Sequence, residues 1–187
     1  MNEPIYKTAL LVIDVQEGLD NPALGKRNNP DAESNIARLI SHWRKHDAPV
    51  VHVKHNSTEE NSALRPELPG NAIKDCATPR DSEALFEKTV NSAFIGTDLE
   101  RHLHASGISD LVIVGLTTDH CVSTCVRMAA NLGFNVRLVG NATATFERIG
   151  HNGKYYSADE MHEINLASLN GEFCTVVTSA EAQSQLS

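Results

Sequence analysis

Of the side chains in this sequence that can do covalent chemistry, the four cysteines, Cys76, Cys121, Cys125 and Cys174, come first. They are too few and too scattered for a disulfide framework in a chain of 187 residues, so at least some are expected as free thiols. Cys121 differs from the others in its setting. It closely follows the apolar run Leu111-Val112-Ile113-Val114 and opens a segment, from about Asp119, in which Val122, Cys125, Val126, Ala129 and Leu132 recur at helical spacing before Gly133. A cysteine in the first turn of a helix meets unpaired backbone N–H groups and the positive end of the helix dipole, which favour a thiolate and can hold an oxyanion. Cys125 lies four residues on, on the same face, and reads as a small buried hydrophobe. A thiolate nucleophile also needs proton management, and Asp14 and Lys88 sit at the ends of two other predicted strands. Taken singly, Asp14 reads equally well as a turn cap and Lys88 as a surface charge.

Other chemistries find less support. His52 and His55 are three apart on a predicted strand and so face opposite sides, while His102 and His104 point apart on a short helix; neither pair suits a metal. No Gly-x-Gly-x-x-Gly follows the first strand, and Gly150-His151-Asn152-Gly153-Lys154-Tyr155 has the wrong spacing for a phosphate loop. Asn56 and Asn141 match a glycosylation pattern that has no consequence without secretion.

The candidate residues must be held by a scaffold, and the order of elements predicts one. Thr8-Ala9-Leu10-Leu11-Val12-Ile13 is a continuous apolar run of the kind buried on both faces of a parallel sheet. A helix follows, opened by Pro30 and Asp31 and carrying Ile36, Leu39, Ile40 and Trp43. Pro49-Val50-Val51-His52-Val53 reads as the second strand. Residues 54–80 form a long polar loop, which in a compact domain points to a site or an interface. Leu85-Phe86-Glu87-Lys88-Thr89-Val90 is a weak strand, and Thr97 is expected to cap a short helix that stops at Gly107. Strands at Leu111-Val112-Ile113-Val114, Val136-Arg137-Leu138-Val139 and Cys174-Thr175-Val176-Val177 complete the set. A Ser157-Ala158-Asp159-Glu160 capping box opens a helix with Met161, Ile164, Leu166 and Leu169 apolar. Strands alternating with helices predict an α/β fold: a doubly wound, mostly parallel sheet with helices on both faces, in one domain over residues 1–187. Ligands bind beyond the carboxyl ends of such strands, where Asp14, Lys88 and the segment after Gly115 lie.

Composition bounds the partners. A net charge of -8 disfavours binding to phosphate backbones or anionic lipid, so neither nucleic acid nor membrane is expected. Met1-Asn2-Glu3-Pro4 lacks a basic leader, and no apolar run approaches the ~20 residues of a membrane span, so a cytoplasmic location is expected.

Three motifs carry a resemblance to a known family. Leu11-Val12-Ile13-Asp14-Val15-Gln16, Glu87-Lys88 with Asn91-Ser92-Ala93-Phe94, and above all Gly115-Leu116-Thr117-Thr118-Asp119-His120-Cys121-Val122 resemble the isochorismatase-like cysteine hydrolases, which include nicotinamidases and N-carbamoylsarcosine amidases. The likeness covers nearly the whole chain. It implies that Cys121 attacks a carbonyl carbon, that Asp14 takes the thiol proton and later protonates the leaving group, and that Lys88 keeps the site electropositive. It also implies a non-proline cis peptide between Leu116 and Thr117, with the N–H groups of Thr117 and Cys121 as oxyanion hole. Nicotinamidases of the family carry an Asp-x-His metal pair where this sequence has His55 and Ser57, so no metal or other cofactor is expected. Asn141 stands where relatives often have Asp. Gln16, Leu19, His55 and Phe94 neighbour the catalytic strand ends and are the expected substrate contacts. Relatives usually form homodimers or homotetramers, and the same is expected here.

The leading expectation is therefore hydrolysis of a C–N bond in a small amide or carbamoyl compound through a Cys121 thioester. The alternative within the family is vinyl-ether hydrolysis of an isochorismate-like substrate, which needs Asp14 and Lys88 but not necessarily a thiolate. A non-catalytic thiol redox sensor is a third reading, for which Cys125 would be a poor resolving partner.

Overall fold

In the computed structural model, residues 7–184 and Leu186 are described; Met1-Asn2-Glu3-Pro4, read above for a leader, lies outside them. Along the chain run β1 (Thr8–Ile13), α1 (Ala32–Lys45), β2 (Val50–His55), β3 (Ala84–Lys88), α2 (Leu99–Ala105), β4 (Asp110–Leu116), α3 (Ser123–Asn131), β5 (Asn135–Ala144), β6 (Arg148–Ile149), β7 (Tyr155–Tyr156), α4 (Ala158–Leu169), β8 (Thr175–Val177) and α5 (Ser179–Ser184). Six strands form one sheet in the order β3-β2-β1-β4-β5-β8, every pairing in it parallel. A small antiparallel hairpin, β6-β7, stands apart.

The alternation of side chains along each strand explains why the runs are apolar throughout. Ala9, Leu11 and Ile13 of β1 join Leu111 and Ile113 of β4 in a core against α2, α3 and Leu169 of α4. Leu10 and Val12 point the other way, with Val112 and Val114, onto Ile36, Leu39, Ile40 and Trp43 of α1 and Ala182 of α5. Two cores on one sheet make a three-layer α/β/α fold. Each fully buried aliphatic side chain in them contributes about 1.5–3 kcal/mol relative to exposure.

The chain winds outward from β1 to β2 and β3, then returns to place β4 on the other side of β1. The winding therefore reverses between β1 and β4, and the crevice beyond their carboxyl ends is the switch point where open α/β sheets bind ligands.

Several local expectations need correction. Cys121 does not sit in the first α-helical turn: Thr118–Val122 form a wide π turn, closed by the Val122 N–H on the Thr117 carbonyl at 3.2 Å, and α3 begins only at Ser123. The cap residue of α2 is Asp98 rather than Thr97, although the Thr97 hydroxyl accepts from the Leu99 N–H at 3.2 Å. The capping box of α4 forms as expected, but its apolar positions do not all face inward. Ile164 is 55% exposed, and His162, held by Thr118 Oγ1 at 2.9 Å from its Nδ1, takes a core position instead. Strand β5 runs on to Ala144 past an irregularity, because the extra length pairs Thr143 with Gly115 beside the nucleophile loop.

Candidate active site

Strand β1 ends at Asp14, whose φ of 50° turns the chain out of the sheet and leaves its carboxylate 1% exposed at the strand end. Lys88 closes β3 and is equally buried. Gly115, one residue before the end of β4, has φ 125°, and a Cβ there would lie 2.0 Å from the Ile13 carbonyl oxygen. Only glycine lets β4 approach β1 this closely, just ahead of the nucleophile loop. The Leu116–Thr117 peptide bond that follows is cis.

These strand ends bring the three side chains singled out from sequence together. Lys88 Nζ donates to Asp14 Oδ2 at 2.6 Å and to Cys121 Sγ at 3.3 Å, and its third contact is His55 Nδ1 at 3.0 Å. Asp14 Oδ1 is buried without a hydrogen-bond partner. One donor atom each of Asp14, His55 and Cys121 lie within 4.8 Å of one another, a grouping that could suit a cation. The Lys88 ammonium already supplies that charge, bonded to all three, so a metal would have to displace it.

Burial sets the proton affinities. It pushes the Asp14 carboxyl above its usual range, and the attraction of Lys88 only partly offsets this. Burial works against the Lys88 ammonium too, but Asp14 and Cys121 outweigh it and hold its pKa above the ordinary lysine value. The Cys121 thiol is pushed well up, by burial first and by the Asp14 charge second, against a smaller pull from Lys88. Cys121 thus stands in a π turn rather than at an α-helix N-terminus, and the local environment pushes its thiol toward the protonated form. Cys125, pushed up to about 12 by burial, accepts from the Ala93 N–H and is inert core, and all four cysteines are free.

A cavity of about 280 Å³ opens over Cys121. Leu19 and His55 line it as expected, with Leu116 and Thr117. Two other expected contacts do not. Gln16 is fully buried beneath the floor, its amide accepting from the His55 N–H at 2.8 Å and donating to the His55 carbonyl at 3.0 Å. Phe94 packs into the core with its ring 6.1 Å from that of Phe134. Sequence reasoning missed Asn91, whose Oδ1 accepts from Cys121 Sγ at 3.8 Å, although it stands in the segment after Lys88 that drew attention. It also missed Leu24, Phe146 and Arg148, which reach the cavity from segments far away in the chain and carry no local signal, as well as His120 beside the nucleophile and Leu64 in the 54–80 loop, whose segments had drawn attention.

Asp119 anchors the nucleophile turn. Its carboxylate accepts from Thr117 Oγ1 at 2.9 Å and from Thr145 Oγ1, and pairs with Arg148 Nη2 at 3.0 Å. Burial alone would raise its pKa; the Thr145 bond, the nearby His120 and Arg148, and the Thr117 bond outweigh it and hold the carboxyl below its usual range. Arg148 thus reaches the cavity already paired.

Residues 8–181 match the family description "Isochorismatase domain". The chain is 45% identical over 172 residues to the isochorismatase family protein YrdC of Bacillus subtilis, covering 92% of each. It is 29% identical to Nicotinamidase 3 of Arabidopsis thaliana, over 90% of this chain and 83% of that one. A crystal structure of an isochorismatase-family protein from Chromobacterium violaceum superimposes with a TM-score of 0.93 at 44% identity, covering 96% of this chain and 93% of the other.

Proposed function

The chain belongs to the isochorismatase family of hydrolases, and from that premise we propose that it cleaves the C–N bond of a small amide or carbamoyl compound through a thioester on Cys121. The observation that carries the reading is the Lys88 ammonium bonded at once to Asp14 Oδ2 and Cys121 Sγ, with Asp14 Oδ1 left open. In the first step the thiol proton passes to Asp14 as Sγ bonds to the carbonyl carbon, and the charge gathering on the carbonyl oxygen meets the N–H groups of Thr117 and Cys121. The C–N bond then breaks, and Asp14 returns the proton to the departing nitrogen. Water adds to the thioester while Asp14 takes one of its protons; the C–S bond then breaks to release the acid, and Asp14 returns that proton to the sulfur. Lys88 stays charged throughout and stabilises whichever of Asp14 and Cys121 is anionic.

An amide suits the cavity better than an isochorismate-like vinyl ether with two carboxylates. Leu19, Leu24, Leu64, Leu116 and Phe146 make much of the wall apolar, and Arg148, which also lines it, is already paired with Asp119. Burying two carboxylates there without fresh partners is costly. Likeness to a nicotinamidase supports the amide class without fixing the amide.

The test is a panel of small amides, carbamoyl compounds and isochorismate, assayed with and without chelator. Turnover of an amide, unchanged by chelator and abolished in Cys121→Ala with an unaltered circular dichroism spectrum, is the expected outcome. Full activity in Cys121→Ala overturns the thioester.

A further inference from the structure

We infer that His55 is a positioning residue that sets the direction of the Lys88 ammonium, and through it the N–H aimed at Cys121. The inference deepens the cysteine-hydrolase reading and rests on it. A lysine ammonium has three hydrogens to place. Here they meet three acceptors: Asp14 Oδ2 at 2.6 Å, His55 Nδ1 at 3.0 Å and Cys121 Sγ at 3.3 Å. With three hydrogens and three acceptors, the head group has no freedom left to rotate.

His55 is itself held firmly. It pairs with Lys88 in register across β2 and β3, so the two side chains leave adjacent strands at the same level. Its backbone is clamped by the buried Gln16 amide on both N–H and carbonyl, and by Asn71 Nδ2 on the carbonyl at 3.0 Å. The imidazole also hydrogen-bonds the Val90 backbone. An Nδ1 that accepts from an ammonium carries a lone pair, so the ring is neutral with its proton on Nε2. Burial, and Lys88 next, pull its pKa down to about 4, in keeping with a ring that stays neutral at ordinary pH.

Without an acceptor at Nδ1, one N–H of a buried ammonium is unsatisfied, and the head group has reason to turn. The open Asp14 Oδ1 is an acceptor to hand. That turn would withdraw the cation from Cys121 and occupy the oxygen that receives the thiol proton. The charged and titratable groups nearest the sulfur are Asp14, Lys88 and His55, with the neutral amide of Asn91; His120 and the Asp119-paired Arg148 line the cavity with Cys121, and Cys125 lies in the core where it also acts on Lys88.

The experiment follows the second-order rate of Cys121 alkylation by iodoacetamide against pH, mapped by peptide mass, in the full chain and in His55→Leu and His55→Asn. The side-chain carbonyl of Asn can stand where Nδ1 stands. In His55→Leu the rate between about pH 7 and 9 is expected to fall about tenfold, one unit's worth of thiol acidity, with amide turnover falling alongside it mainly in kcat. His55→Asn is expected to restore the profile most of the way. A His55→Leu profile that overlays the parent's, equal losses in Leu and Asn, or a loss confined to KM overturns the inference, the last by making His55 a substrate contact. Should His55→Leu fail to melt cooperatively, His55→Gln replaces it, its acceptor lying nearer the Nε2 position; Asn near the parent and Gln displaced support the role, and no difference between them overturns it. A parent chain that alkylates normally but turns over no amide defeats the hydrolase reading and leaves this readout intact.

Discussion

At Cys121 two opposite charges compete within a few ångströms, and burial decides between them. Burial comes first in raising the thiol pKa and the Asp14 carboxylate adds to it, while the Lys88 ammonium pulls the other way, so the balance favours the protonated sulfur; in the proposed mechanism it would ionise as Asp14 takes the proton. The pair Asp14–Lys88 is almost wholly removed from solvent, with side-chain exposures of 2% and 0%. Removing one member of such a pair costs about 3–5 kcal/mol, because a bare charge is left behind. Lys88→Met is therefore expected to lower the urea midpoint markedly and to abolish turnover. The double variant Asp14→Asn with Lys88→Met should recover much of the stability and none of the activity, since the two sites share one interaction. Additive losses of stability in the double variant would contradict the pairing.

The elements matter through where they stop. β1 gives way to a left-handed Asp14, β4 presses on β1 at a glycine one residue before its end, and the π turn between β4 and α3 sets Cys121 over the gap. Gly115→Ala puts a methyl 2.0 Å from the Ile13 carbonyl and forces a positive φ on alanine, so the β1–β4 pairing must open. We expect that variant to lose several kcal/mol at least, roughly the scale of a severe core defect, and with it both cooperative melting and turnover. Ser157→Ala provides the contrast. It removes a side-chain cap on α4 and should cost about 1 kcal/mol, seen as a modest drop in Tm, with kcat/KM unchanged. Equal effects from the two substitutions would mean that the strand contact is not what organises the site.

For the molecule as a whole, two ion-pair networks tie loops to the sheet and its helices, and they predict how stability responds to acid. Glu33 receives Arg27 and Lys74, the latter from the long 54–80 loop, and Glu83 pairs with Arg44 and also accepts hydrogen bonds from the Arg80 N–H and His52 Nε2. Burial would raise both carboxyl pKa values, but these partners outweigh it and hold each down to about 2 from an ordinary 4.5. A depressed carboxyl stabilises the fold above its unfolded pKa and loses that contribution as pH falls through its folded one. Stability is thus expected to drop between about pH 4.5 and pH 2, and Glu33→Gln or Glu83→Gln should lower it at pH 7 while flattening that acid limb. Urea titrations across pH read this directly; an acid limb unchanged in both variants would sink it. No helix among the described residues is long and apolar enough to cross a membrane. The sequence by itself determined the parallel sheet, because runs such as those at β1 and β4 have no polar face to offer water; strand ends made Asp14, Lys88 and Cys121 candidates, and the family motifs around them singled them out. Local pattern also reaches the capping box and the glycine ahead of the nucleophile. What only the tertiary structure decided depends on contacts between segments far apart in the chain: that Gln16 clamps His55 rather than lining the cavity, that Phe94 belongs to the core, and that Leu24, Phe146 and Arg148 reach the opening. It also decided the surroundings of the sulfur. A helix terminus is a local expectation, whereas the π turn at Cys121, its burial and the charge of Asp14, which raise the thiol pKa, arise only when the strand ends are packed against one another.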